Sequence, residues 1–103
     1  MRYAIRKTPA APALDGNWDA PAWRQADTLA VATARPESSD HRPKVQARLL
    51  HDGAAIHGVY RVEDRYVRAV HQGFQAPVCR DSCVEFFFQP HAGPGYFNFE
   101  FNC

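Results

Sequence analysis

The sequence predicts an all-β fold, an antiparallel β-sandwich. Helical periodicity never runs beyond about two turns, whereas apolar–polar alternation recurs at the spacing of roughly 8–12 residues expected of a sandwich or barrel. One pair of alternating runs is joined through Asp52-Gly53, a strong hairpin signal. A second pair flanks a Gly/Pro turn in the closing stretch, CRDSCVEFFFQPHAGPGYFNFEFNC, residues 79–103.

Taken in order, RYAIRKT alternates as a short strand, and the Pro-broken PAAPALDG carries the chain into a turn. In NWDAPAWRQA, Asp19 suits a cap and Pro21 an early helical position, and Trp23 and Ala26 lie three apart, which predicts a single helical turn. DTLAVAT reads as a strand and ARPESSDHRP as a solvated loop. KVQARLLH sets Val45, Ala47 and Leu49 against Gln46 and Arg48. AAIHGVYRVED sets Ile56, Gly58, Tyr60 and Val62 against His57, Val59, Arg61 and Glu63. RYVRAVHQ is compatible with a strand or a short helix, and GFQAPVCRD is a loop. In the terminal hairpin, Val84, Phe86 and Phe88 share a face with Phe97, Phe99 and Phe101. That Phe face calls for a facing sheet, and a strand running to the last residue leaves an unpaired edge. An exposed EFFFQ strand would be an aggregation hazard.

A chain of 103 residues is one domain or a piece of one. Hydrophobic content of 46% and aromatic content of 13% suffice for a core and argue against disorder. Twelve basic and eleven acidic residues are spread along the chain, with no basic stripe, so neither a nucleic-acid nor a membrane-surface partner is expected. No apolar run approaches the roughly 20 residues of a membrane helix. The start, MRYAIRKTPAAPALDG, lacks the apolar region of a signal peptide. With an odd count of three cysteines, the chain as written reads as cytoplasmic and reduced, whereas an incomplete N-terminus would leave an extracellular or periplasmic location open.

The polar side of the terminal hairpin carries Glu85 and Gln89 with Asn98, Glu100 and Asn102. Carboxylates and amides at fixed spacing suit hydroxyl-rich ligands, since a sugar hydroxyl donates to a carboxylate and accepts from an amide or Arg. An aromatic ring would supply the apolar contact, with Tyr60, Tyr66, Tyr96, Trp18 and Trp23 as candidates. The competing reading is an ordinary solvated sheet face, which alternates in the same way. Cys79 and Cys83, with His71 and His91 near in sequence, lack the motif spacing of a zinc site; with Cys83 in phase with Glu85 and Cys103 with the Phe face, the cysteines read as semi-buried thiols. Glu85 and Glu100 on facing strands have the residue types of a glycosidase pair, but no sequence feature marks a pocket or a catalytic residue. No phosphate-binding glycine loop and no nucleophile elbow is present.

LDGNWDAPAW, RPKVQARLLHDGAAIHGVYRVEDRYVRA, DSCVEFFFQP and YFNFEFNC, in that order, resemble the family 9 carbohydrate-binding modules, and more closely the family-9-like domains of bacterial proteins within the DOMON-like β-sandwiches. Because such domains are nearly twice as long, the chain resembles an N-terminal half, a partial domain spanning 1–103. In the family, LDGNWDAPAW packs the N-terminal segment onto the sandwich, which implies a core role for Trp23 and leaves Trp18 open. The family's sugar lies between two tryptophans and is hydrogen-bonded by a Glu and an Arg on adjacent strands. Glu85, in CVE, matches that Glu. The first Trp position falls in PVCRDSC, which has no aromatic; Glu100 takes about the place of the Arg; the second Trp would fall beyond residue 103. With one of these contacts kept, the resemblance does not carry a glucose-type specificity.

The resemblance implies non-catalytic carbohydrate binding, as an accessory domain in polysaccharide catabolism, with a saccharide or polysaccharide as partner and Glu85, Asn98, Glu100 and Asn102 as the site. No cofactor is expected beyond the structural calcium some members bind, for which Asp81, Asp64 and Glu63 are donors without an EF-hand-like loop. Two alternatives stand beside it. One is a DOMON-like module for haem or another small ligand, with His57, His71 or Met1 as axial donors. The other is a structural interaction domain without ligand.

Overall fold

The computed structural model describes all 103 residues, Met1–Cys103. Its strands are β1 (Arg6–Lys7), β2 (Leu29–Ala30), β3 (Lys44–His51), β4 (Ile56–Glu63), β5 (Cys83–Phe88) and β6 (Phe97–Asn102). Its helical content is two short 3-10 turns, Trp23–Gln25 and Val78–Arg80. The chain is all-β, its strands in two sheets, the components of the expected sandwich. It falls into two compact units, Met1–Asp64 and Arg65–Cys103.

In the first unit, β3 pairs antiparallel with β4 over its full length, from Lys44↔Glu63 to His51↔Ile56. The Asp52-Gly53 turn forms as expected, with Gly53 at φ 99°, a conformation that a side chain would strain. Asp52 Oδ1 accepts the amides of Ala54 and Ala55, both at 2.8 Å. Asp52 Oδ2 meets His57 Nε2 at 2.9 Å. The His57 contact first, then the two amides, hold the Asp52 carboxyl well below the usual carboxylate range.

The outer strands are shorter than predicted. RYAIRKT contributes only Arg6–Lys7, which pair parallel to β3, and DTLAVAT only Leu29–Ala30. The wholly antiparallel sheet expected from the sequence is thus mixed at one edge. The predicted helical turn is present at Trp23–Gln25, but Asp19 does not cap it; Ala22 stands at that position with no side-chain bond. Asn17 instead accepts the Asp19 amide at 3.2 Å, so the approach is an Asx turn.

The core of this unit corrects the face assignment. Leu50, fully buried, and Val59 join Trp18, Trp23 and Ala26. In the β3–β4 register, Leu50 and Val59 stand on the side of Gln46 and Arg48, the side that alternation reads as polar. The first unit's apolar cover sits there because Arg48 lies over the Trp18 ring at 4.1 Å and donates to Trp18 O and Thr28 Oγ1, each at 3.0 Å. Ala47, on the other side, is buried as well.

In the second unit, β5 and β6 pair from Cys83↔Asn102 to Phe88↔Phe97, the register that the sequence pattern requires. Val84, Phe86 and Phe88 share their side with Phe97, Phe99 and Phe101. Phe97, Phe99 and Phe101 are exposed, and Phe97 stacks on Phe99 with centroids 6.1 Å apart. RYVRAVHQ forms neither strand nor helix; Arg68 holds Ser82 instead, through its amide to Ser82 Oγ at 3.0 Å and its carbonyl from Ser82 N at 2.8 Å.

Candidate functional site

The polar side of the β5–β6 hairpin, where the sequence sets the candidate residues, is laid out in rows. Nearest the connecting loop is Tyr96, then Phe87 opposite Asn98, then Glu85 opposite Glu100, then Cys83 opposite Asn102. Successive rows are about 7 Å apart, two residues of strand. Glu85, Asn98 and Glu100 are exposed, whereas Asn102 is half-buried. Asn98 Nδ2 donates to Glu100 Oε1 at 3.0 Å, which orients both side chains toward one another along the strand.

The structure places an aromatic pair on this face that the sequence reading half missed. Phe87 and Tyr96 meet in a tilted contact, centroids 5.5 Å apart, with Phe87 58% and Tyr96 66% exposed. Tyr96 was among the predicted platforms; Phe87 was not. Its parity with Glu85 was the available signal, obscured because it sits within an unbroken Phe run. The other candidate rings lie elsewhere. Trp23 is 1% and Trp18 9% exposed, so neither is available to stack a sugar. Tyr60 is half-buried, and burial pushes its hydroxyl pKa up. Tyr66 is exposed beneath the Arg65 guanidinium, 4.8 Å from its centroid. Gln89 closes the connecting loop, donating to Gly93 O at 2.8 Å and Gly95 O at 3.3 Å.

At the far end of the face, Asn102 Nδ2 donates to His71 O at 2.8 Å and to Asp81 Oδ2 at 2.9 Å. The Asp81 side chain has no solvent exposure. It also accepts from the amides of Val70 and His71, at 3.0 and 2.9 Å, and contacts His71 Nδ1 at 3.1 Å and Arg68 Nε at 3.3 Å. Burial works against its charge. The bonds from the His71 amide, Asn102, the His71 ring and the Val70 amide outweigh that and hold the carboxyl well below the usual range. Asn102 is thereby committed to Asp81 and the chain of His71, while Glu85, Asn98 and Glu100 stand together on the exposed face.

The remaining predicted groups are distributed over other contacts. Glu63 pairs with Lys44 at 2.9 Å and is held low first by that hydrogen bond, and Asp64 meets His41 at 3.0 Å. His57 and His71 each turn one ring nitrogen to a carboxylate, and Met1 is exposed at the chain start. No group of three or more His, Cys, Asp and Glu is placed to hold a metal ion. Cys83 is half-buried, as a semi-buried thiol should be, but Cys79 and Cys103 are exposed. The Cys83 thiol is pushed up first by burial and then by the charges of Glu85 and Glu100. No helix is long and apolar enough to cross a membrane.

Comparison with curated proteins and with solved structures gives no match for the chain. The family model for carbohydrate-binding family 9 matches residues 22–103, from the turn that buries Trp23 to the end of the terminal hairpin. With most of its length matched, the chain belongs to carbohydrate-binding family 9.

Proposed function

We propose that this carbohydrate-binding domain takes its saccharide on the polar face of the β5–β6 hairpin, as a non-catalytic module. The observation that carries the reading is the exposed Phe87–Tyr96 pair on the same face as Glu85, Asn98 and Glu100. A sugar presents apolar C–H faces and hydroxyl edges, so a binding surface needs rings and hydrogen-bonding groups within one residue of each other. Here the rings occupy one end and the carboxylates the adjoining row. Tyr96 and Phe87 take the C–H face, Glu85 and Glu100 accept from hydroxyls, and Asn98 both donates and accepts. Asn102 acts as a positioning residue, tying the end of β6 to the buried Asp81.

The test is thermal unfolding and NMR titration of the full chain against short cello-, xylo- and other oligosaccharides, beside Tyr96→Ala. A ligand at about 100 times its Kd should stabilise the fold by about 2.7 kcal/mol, a shift of several degrees. Binding should perturb the resonances of Phe87, Asn98 and Glu100 and weaken in Tyr96→Ala. Saccharide binding that perturbs only the first unit, and is unaffected by Tyr96→Ala, would overturn the placement of the site.

A further inference from the structure

We infer that Phe74 is a further aromatic contact of the saccharide face, at the end opposite the Phe87–Tyr96 pair, so that the face takes an extended oligosaccharide chain rather than a single sugar. The inference rests on the reading of the polar hairpin face as the sugar site and names the length of ligand that site takes.

Phe74 sits at the tip of the loop joining His71 to Val78 and is 95% exposed. Ala76 and Val78, two and four residues on, are half-buried. The loop thus turns its smaller apolar residues inward and its one ring outward, the reverse of what burial of apolar area favours. The loop is not slack. Gly73 at φ 97° and Gln75 at φ 60° flank Phe74, and Gln75 is the one non-glycine residue of the chain in the left-handed region. The Ala76 amide closes the turn on Gly73 O at 3.3 Å, and the Val78 amide donates to Ala76 O at 2.7 Å. A strained backbone persists only where its surroundings hold it, and here it holds a ring in water.

Both ends of the loop are fastened at the far end of the polar face. On the entry side, Asn102 Nδ2 donates to His71 O, and Asp81 accepts the Val70 and His71 amides. On the exit side, the Val78–Arg80 turn runs directly into Asp81, whose amide donates to Val78 O at 2.9 Å. Asn102 stands on the polar side of β6, so the loop leaves from that side. Phe74 is three residues from His71 and so lies at most about 11 Å from it.

The Phe87–Asn98 row and the Cys83–Asn102 row are about 14 Å apart, four residues of strand. Rings therefore stand toward both ends of the face, with the exposed Asn98 and Glu100 between them. No single pyranose touches both ends. A chain of linked pyranoses does: the rings stack on the C–H faces of different units, and the units between present hydroxyls to Asn98 and Glu100. A loop held in one conformation beforehand loses little freedom on binding.

The experiment is NMR and calorimetric titration of the full chain with cello- and xylo-oligosaccharides, each as disaccharide, tetrasaccharide and hexasaccharide, beside Phe74→Ala, Phe74→Trp and Tyr96→Ala. Affinity should rise with length, and the hexasaccharide but not the disaccharide should perturb Phe74 together with Tyr96. Phe74→Ala should weaken the hexasaccharide about two- to tenfold, the range of one aromatic contact, and leave the disaccharide within about twofold. Phe74→Trp should keep the hexasaccharide affinity, whereas Tyr96→Ala should weaken every length. The ring is 95% exposed, so Phe74→Ala should melt with the parent chain. Equal affinity at all lengths, or a hexasaccharide affinity unchanged in Phe74→Ala, would overturn the further contact and leave the hairpin site standing. Equal weakening of every length in Phe74→Ala would overturn the extended chain, because one sugar would then meet both ends. Failure of every saccharide to bind would overturn the reading of the face itself, and the inference with it.

Discussion

Asn102, at the end of β6, donates to Asp81 Oδ2 at 2.9 Å, linking a strand end to a carboxylate that has no solvent exposure. Around that bond the second unit gathers the Arg68–His71 segment, so the open end of the polar face is held by one acceptor with donors on every side.

Asp81→Asn is therefore expected to lower the melting temperature clearly, because the amide offers one acceptor oxygen in place of two charged ones, so its NH2 stands against donors that Asp81 now accepts and the rest lose their charge-assisted partner. Arg68→Gln, on a side chain 62% exposed, should change it little. Amide hydrogen exchange would locate the effect: faster exchange at Val70 and His71 in Asp81→Asn, with the β3–β4 amides unchanged.

Trp23→Ala removes the largest fully buried side chain of the first unit. The expected cost is about 3–5 kcal/mol, a large share of the roughly 5–15 kcal/mol that holds a typical domain. Urea unfolding followed by tryptophan fluorescence of Trp18 would measure it. Leu14→Ala, at a residue 82% exposed, should stay within about 0.5 kcal/mol.

Acid should weaken the fold through two groups. Asp52 and Asp81 are both held below the ordinary carboxylate value, so each binds protons less readily folded than unfolded. Their contribution is present above the unfolded value of about 3.9 and is lost as pH falls through the folded values. The urea midpoint should fall below about pH 4, and Asp52→Asn should flatten that decline. An unchanged profile in Asp52→Asn would remove the turn carboxylate from the account.

Tyr96→Ala should cost little stability, since the ring is 66% exposed and packs only in a tilted contact with Phe87. It should nonetheless weaken saccharide affinity by about 1–2 kcal/mol, roughly five- to thirtyfold, by removing a stacking ring. Circular dichroism melts beside titrations would separate the two effects.

Alternation by itself determined the bounds of β3, β4, β5 and β6 to within a residue or two, the Asp52-Gly53 turn, and the sorting of Glu85, Asn98, Glu100 and Asn102 to one side of a hairpin. These follow from the two-residue period of a strand and the few residues that tolerate a tight turn, both local properties. It did not determine which side of β3–β4 is the core, because Leu50 is buried by Trp18 and Trp23 from a distant segment while Arg48 lays its guanidinium over an indole. Nor did it separate Asn102 from its exposed neighbours, or join Phe87 to Tyr96. Those were decided by tertiary structure, since burial and partnership depend on residues far apart in the chain whose meeting leaves no period in the sequence.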